Sequence, residues 1–296
     1  MNEKYSRIDF RDQISRNKLK SFLLMFVVFA VLVSLIYVIG SIWGEVDIFV
    51  ILIFAIIISF SYTIFSFYNS DKIAVLSVGA REAKRTDYKQ FYDIVEGLTL
   101  ASGLPMPKLY VMPSKQINAF ASGRDPKHSV VCVTEGALEK LEKKELEGVI
   151  AHELGHIETY DIRYMTLVAV MVGMISIISE IFLRSLWFKG SNNDDDKGNV
   201  IFVVIGIVLA ILAPIVVSLV QLAISRKREY TADANAVRFT RNPSGLINAL
   251  KKIKTDNLPE KKINKAVAQL FFANPFQELG STHPDINRRI AVLEKM

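Results

Sequence analysis

His152-Glu153-Leu154-Gly155-His156 decides how this chain is organised and what chemistry it can carry. Residues four apart on an α-helix lie one turn above each other, so both imidazoles can face one metal ion. Glu153 projects from the same turn, within reach of a water bound to that ion, and is the candidate general base. The chain holds only 4 His, and two of them fall in these five residues. Outward from the motif, 135–159 reads as one helix. Its first half is crowded with charge from Glu139 to Glu147, while Val149, Ile150 and Leu154 supply apolar contacts. Glu158-Thr159-Tyr160-Asp161-Ile162-Arg163 follows at once, so the motif stands outside a bilayer but close to its surface.

Further out the chain divides into blocks. Hydrophobic residues make up 51% and charged residues still reach 22%, so the two classes are segregated. Four apolar runs, Ser21–Trp43, Ile48–Tyr68, Tyr164–Phe188 and Val200–Ile224, each have the roughly twenty residues that a membrane-crossing helix needs. Glu180 and Arg184 interrupt the third, spaced to pair along one helix face or to lie at an interfacial end. The predicted organisation is a basic N-terminus (1–20), a first transmembrane hairpin (21–68), the motif-bearing part of a soluble domain (69–163), a second hairpin (164–224) and the rest of that domain (225–296).

Lys4, Arg7, Arg11, Arg16, Lys18 and Lys20 precede the first run, and Arg226, Lys227 and Arg228 follow the fourth. The Gly44–Asp47 turn lacks a cation, and Lys189–Asn199 is dominated by Asp194, Asp195 and Asp196. The positive-inside rule then predicts a multi-pass protein of the cell membrane with both termini and the central segment in the cytoplasm. The first run is too long for a cleavable signal peptide and lacks a small-residue cleavage site. The net charge of +6 flanks apolar runs, which points to topology and anionic lipid rather than nucleic acid. Cys132 is the single cysteine and lies in Val130-Val131-Cys132-Val133, a pattern for a buried strand in a reducing compartment.

The fold class is α+β and mostly helical, with a small sheet. Asp71–Gly97 reads as a helix, Leu104-Pro105-Met106-Pro107 as a break, and Lys108–Met112, Ile117–Ser122 and Ser129–Thr134 as strands, the last interior. Ser225–Phe239 and Gly245–Lys254 read as helices, Lys251–Lys265 as a solvated linker, and the tail as a helix carrying Arg288 and Arg289.

A catalytic zinc needs a third protein ligand and an open position. Glu229 is one candidate, with Asp233 a turn further on, where it can fix the tautomer of a ligating histidine. His283 is the other, either as ligand or as a hydrogen-bond donor to a developing oxyanion. His128, in a turn between strands, reads as structural.

Taken together, Asn118-Ala119-Phe120, the 152–156 pentapeptide, Ser225-Arg226 with Glu229 and Ala232-Asp233, and Thr282-His283-Pro284 with Arg289-Ile290 resemble HtpX-type membrane zinc metalloproteases of peptidase family M48. The order of motifs and the two hairpins match over nearly the whole chain. The resemblance implies a zincin-like domain, one Zn2+ per chain on His152, His156 and Glu229, and Asp233 behind a ligand. It implies that Ile117–Ser122, with Asn118, Ala119 and Phe120, is an edge strand pairing with substrate backbone. His283 and Arg289 are implied to hold substrate or transition state. At 285 this chain has Asp where a second proline is common.

The expected activity is hydrolysis of peptide bonds in damaged or misfolded membrane proteins on the cytoplasmic side, with the bilayer and polypeptides as partners. A prenyl-protein-type endopeptidase and a non-catalytic membrane scaffold are the alternatives. An intramembrane zinc protease is disfavoured by the charges flanking the motif.

Overall fold

Small and apolar residues at helical spacing build the first two elements, α1 (Phe10–Ile42) and α2 (Ile48–Tyr68). The structure, a computed structural model, describes residues 10–42, 47–168, 226–256, 272 and 285–296. Leu24, Val28 and Leu32 bury one stripe of α1, and Ile51, Ala55, Ser59 and Thr63 one stripe of α2. Small side chains on α2 let the helix axes approach closely. The Asp47 carboxylate starts α2 by accepting the Phe49 N–H at 2.8 Å. Outward, Phe22, Phe26, Ile53, Phe54, Phe60 and Phe65 are each more than half exposed. So large an apolar surface marks contact with another medium. Ile14–Ser34 and Ile48–Tyr68 are long and apolar enough to cross a membrane. The third and fourth expected runs lie outside the described residues, apart from a helical start within residues 161–168.

The single helix predicted over 71–97 is three elements: α3 (Ser70–Ser77), β1 (Arg81–Glu82) and α4 (Lys89–Ser102). Gly79 adopts φ +65, which a helix cannot continue, and Arg81 and Glu82 then pair with Val111 and Tyr110. The sheet order is β1-β2-β4-β3, with β2 (Lys108–Met112), β3 (Ala119–Asp125) and β4 (His128–Thr134). β4 runs parallel to β2 and antiparallel to β3, so it is interior as its apolar run predicts. β3 starts two residues later than the predicted Ile117, because Asn118 is held outside the ladder. Its N–H donates to Thr134 Oγ1 and its side-chain oxygen accepts the Ala119 N–H, both at 3.0 Å. Among the described residues β3 forms the outer edge of the sheet.

Alternation on the strands sorts two cores. Leu109, Val111, Ala119, Ala121, Val131 and Val133 face α4 and the motif helix, packing with Phe91, Leu98, Ile150 and Leu154. Phe120, Cys132 and Met112 face the other way, with Ala74 and Met165. Each large side chain buried there is worth roughly 1.5–3 kcal/mol. Cys132 is 1% exposed, and burial pushes its thiol pKa up.

The 135–159 helix is also divided, into α5 (Glu135–Lys140) and α6 (Lys143–Glu158). Glu142 and Glu145 form a reciprocal capping box, in which Glu145 Oε2 accepts the Glu142 N–H at 2.8 Å. Lys252 donates to the same oxygen at 2.7 Å from the helix Ser244–Asp256. The predicted linker from Lys251 is therefore helical as far as Asp256, and its remainder lies outside the described residues. The last helix, Ile286–Leu293, begins where Asp285 accepts the Arg288 N–H at 3.2 Å. The acidic residue at 285 thus serves as its N-cap.

Candidate metal centre

Two helices cross to make the site: α6, and the helix Arg226–Thr240. Gly155 sits at the crossing. A Cβ there would stand 3.1 Å from Asn235 Cβ and 3.2 Å from Ala232 Cα, tighter than side chains ordinarily pack. With only a hydrogen at 155, the second helix comes close enough to lay Glu229 over the histidines.

His152, His156 and Glu229 are all buried, and their ligating atoms lie within 4.8 Å of one another. The two Nε2 atoms are 3.1 Å apart, and each lies 3.6 Å from an oxygen of Glu229. Ligand atoms about 2.0–2.1 Å from a tetrahedral zinc stand roughly 3.3–3.4 Å apart, so the observed triangle matches such a centre. The imidazoles are nearly perpendicular, at 87°. Behind them, His152 Nδ1 meets Asp233 Oδ1 at 2.9 Å and His156 Nδ1 meets Asp161 Oδ2 at 3.3 Å. Carboxylates in those places hold the ring proton on Nδ1 and turn both Nε2 lone pairs inward. Two lone pairs and a carboxylate converging on one point suit a cation. Burial and the Arg289 charge oppose protonation of His152, yet hydrogen bonds to Asp233 and Glu229 outweigh them and hold its pKa up to about 9. The pocket favours positive charge, and the residues present fit a zinc ion.

Glu153 is 2% exposed. Burial raises its pKa, opposed by the neighbouring histidines and by a hydrogen bond from the Ala121 backbone. Its carboxyl therefore sits between the motif helix and β3, where proton transfer would be needed. Asn118, just before β3, and Ala119 and Phe120, at its start, are all buried, and Phe120 points into the smaller core. The Ala119 carbonyl accepts a backbone N–H from Phe272 at 2.8 Å, and the Phe272 ring meets His152 edge-on.

Arg289, implied as a substrate contact, is 1% exposed and occupied elsewhere. Its Nε and Nη2 bind the two oxygens of Asp233 at 2.9 and 2.6 Å, and its Nη1 lies 3.5 Å from Glu229. Burial works against the Arg289 charge, but Asp233 and Glu229 raise its pKa further. The same guanidinium keeps the Asp233 carboxyl below the usual range in spite of burial. His283 lies outside the described residues. His128 is at the surface, its Nδ1 2.8 Å from Asp125, as a structural turn residue would be.

Asp161 is absent from the sequence-based site because it follows the end of α6, where helical spacing no longer applies. Tyr160, at φ 60, takes the left-handed conformation and swings Asp161 back beneath His156. The Asp161 oxygens also accept from Thr159 Oγ1 at 2.8 Å and from Asn17 Nδ2 at 2.7 Å.

Comparison with known proteins agrees with this geometry. Residues 85–296 match the model of "Peptidase family M48". A "Protease HtpX homolog" of Dictyoglomus thermophilum is 42% identical over 293 residues, covering 97% of this chain and 95% of that relative. One of Lactobacillus helveticus is 41% identical over 297 residues, covering 96% and 99%. The crystal structure of S. mikatae Ste24p superposes with a TM-score of 0.51 at 18% identity, over 96% of this chain and 67% of that one, which shows a shared fold. With its crossed helices, buried His-Glu cluster and exposed apolar hairpin, the chain belongs to peptidase family M48 and is an HtpX-type membrane metalloprotease.

Proposed function

We propose that the protein is a zinc-dependent endopeptidase with its ion on His152, His156 and Glu229 and with Glu153 as general base. The observation that carries this is the convergence of three buried ligand atoms within 4.8 Å, beside a buried carboxyl on the same helix. Zinc bound there supplies Lewis acidity, which activates water and polarises a carbonyl. Glu153 accepts the proton of the attacking water and then delivers it to the departing amine. The raised pKa of Glu153 suits a group that must take up and release a proton. Asp233 and Asp161 orient the two rings. Arg289 acts through Asp233 as a positioning residue, and His283 is the donor to the developing oxyanion.

A substrate strand would pair along the outer edge of β3 from Ala119 onward, and main-chain pairing of this kind recognises extended polypeptide with little side-chain preference. The Ala119 carbonyl already accepts the Phe272 N–H, so a substrate strand pairing there would replace that bond. Four membrane spans, a cytoplasmic active site and clearance of damaged membrane proteins complete the reading. The basic residues flanking the apolar runs support that orientation.

The test is the full chain purified in detergent, assayed for zinc content and for casein cleavage. Wild type should hold one zinc, Glu153→Gln should keep the zinc while losing at least about a hundredfold in rate, and Glu229→Ala should lose both. A Glu153→Gln protein that cleaves at the wild-type rate would remove the base assignment.

A further inference from the structure

We propose that Asn17, on the first apolar helix, is a positioning residue of the metal centre: it holds Asp161, and through Asp161 the ring of His156. The inference rests on the zinc reading above and adds to it a contribution from α1. Asn17 is 4% exposed, although its neighbours Arg16 and Lys18 are at the surface. Both donors of its amide are used, one to Asp161 Oδ1 at 2.7 Å and one to the Thr159 carbonyl at 3.0 Å. Asp161 Oδ2 in turn faces His156 Nδ1 at 3.3 Å. The next residue on α1 contributes too, since Lys18 Nζ lies 4.4 Å above the ring of Tyr160, the residue in the left-handed conformation. The first helix therefore touches Thr159, Tyr160 and Asp161 in succession, the three residues that place the carboxylate under His156.

The chemistry follows from what Asn17 can do. A neutral amide donor fixes the Asp161 carboxylate in orientation without removing its charge, so the carboxylate remains a strong acceptor for the His156 ring proton. An apolar side chain at 17 would leave the buried Thr159 carbonyl short of a donor and Asp161 Oδ1 with only the Arg228 guanidinium, 3.8 Å away. A carboxylate at 17 would set like charges less than 3 Å apart. Seating the first apolar helix and closing the metal site are thus one event, although Asn17 is 139 positions before His156 in the chain.

The experiment uses the full chain in detergent or lipid vesicles. Zinc affinity is measured by competition with a chromogenic chelator, the electronic spectrum of the Co2+-loaded protein reports the ligand field, and circular dichroism reports the fold. Outer partners of metal ligands typically carry roughly 10–100-fold in affinity, and Asn17 lies one bond further out. Asn17→Ala should weaken zinc binding roughly three- to tenfold, Asn17→Asp more than Asn17→Ala, and both should alter the Co2+ spectrum. In an Asp161→Asn background, Asn17→Ala should add nothing. The proposal is overturned if wild type binds zinc and both Asn17 variants bind it equally well, or if the Asn17→Ala and Asp161→Asn losses simply add. Should Asn17→Asp fail to fold, Asn17→Ala and the double variant decide. Wild-type protein that binds no zinc overturns the zinc reading itself, and this inference with it.

Discussion

His152 and His156 stand one turn apart on a single helix, yet opposite ends of the chain brace them. Asp233 stands behind His152 and is gripped by the Arg289 guanidinium, an ion pair with both partners 1% exposed or less. Asp161 stands behind His156 and is held by the Asn17 amide and the Thr159 hydroxyl, with the Arg228 guanidinium 3.8 Å away. The first brace is a buried ion pair closed by two short hydrogen bonds. The second combines two neutral donors with that more distant guanidinium, and one of those donors lies on a helix whose other face is apolar and exposed. Two ligands equivalent in sequence are thus unequal in what they depend on.

Arg289→Ala should have the largest effect. It leaves two buried carboxylates, Asp233 and Glu229, without their guanidinium, and breaking a buried pair in this way costs about 3–5 kcal/mol. Unfolding of the full chain in detergent, followed by denaturant or heat, would show it. A variant as stable as wild type would break the contrast between the two braces.

The next test compares the braces directly. Asp233→Asn should weaken zinc binding by about 10–100-fold, and Asp161→Asn should fall toward the low end of that range, because its contact to the ring is longer. Equal losses in a chelator competition would erase the asymmetry.

Gly155→Ala forces the crossing helices apart at 3.1–3.2 Å contacts and should cost about 1–3 kcal/mol, with zinc affinity falling in step as Glu229 moves off. Loss of stability without loss of affinity would show that the ligand does not depend on that close approach.

The smallest effect belongs to a pair at the turn between β3 and β4. Burial acts to raise the pKa of Asp125, but hydrogen bonds from His128 dominate and lower it. A carboxyl lowered in the folded state stabilises above its unfolded pKa, and that contribution is lost as pH falls through the folded value. Asp125→Asn should cost less than about 1 kcal/mol at neutral pH, with the difference from wild type vanishing in acid and zinc affinity unchanged. A change in zinc affinity would show that the sheet is more tightly coupled to the metal centre than the two braces suggest.

Periodicity made much of this site legible. His152 and His156, and Glu229 with Asp233, are each four apart on helices, so their shared faces can be read directly from number. Interior β4 was equally legible from its unbroken apolar run. Three things were hidden for physical reasons. Asp161 reaches His156 through a left-handed residue rather than through helical spacing. Arg289 and Asn17 sit among charged neighbours, and nothing in local pattern separates a buried polar group from a solvated one. The division between α5 and α6 was signalled by Glu142 and Glu145, three apart, but among so many charges the capping pair does not stand out.

The position of Cys132 has a practical consequence. The chain has 1 cysteine, it is sealed within β4, and burial disfavours its thiolate. A thiol introduced at an exposed turn, such as one replacing Asp87 or Lys127, would be the one group open to a maleimide in intact vesicles. Which side of the bilayer each turn occupies could then be mapped by labelling, with the native thiol left in place.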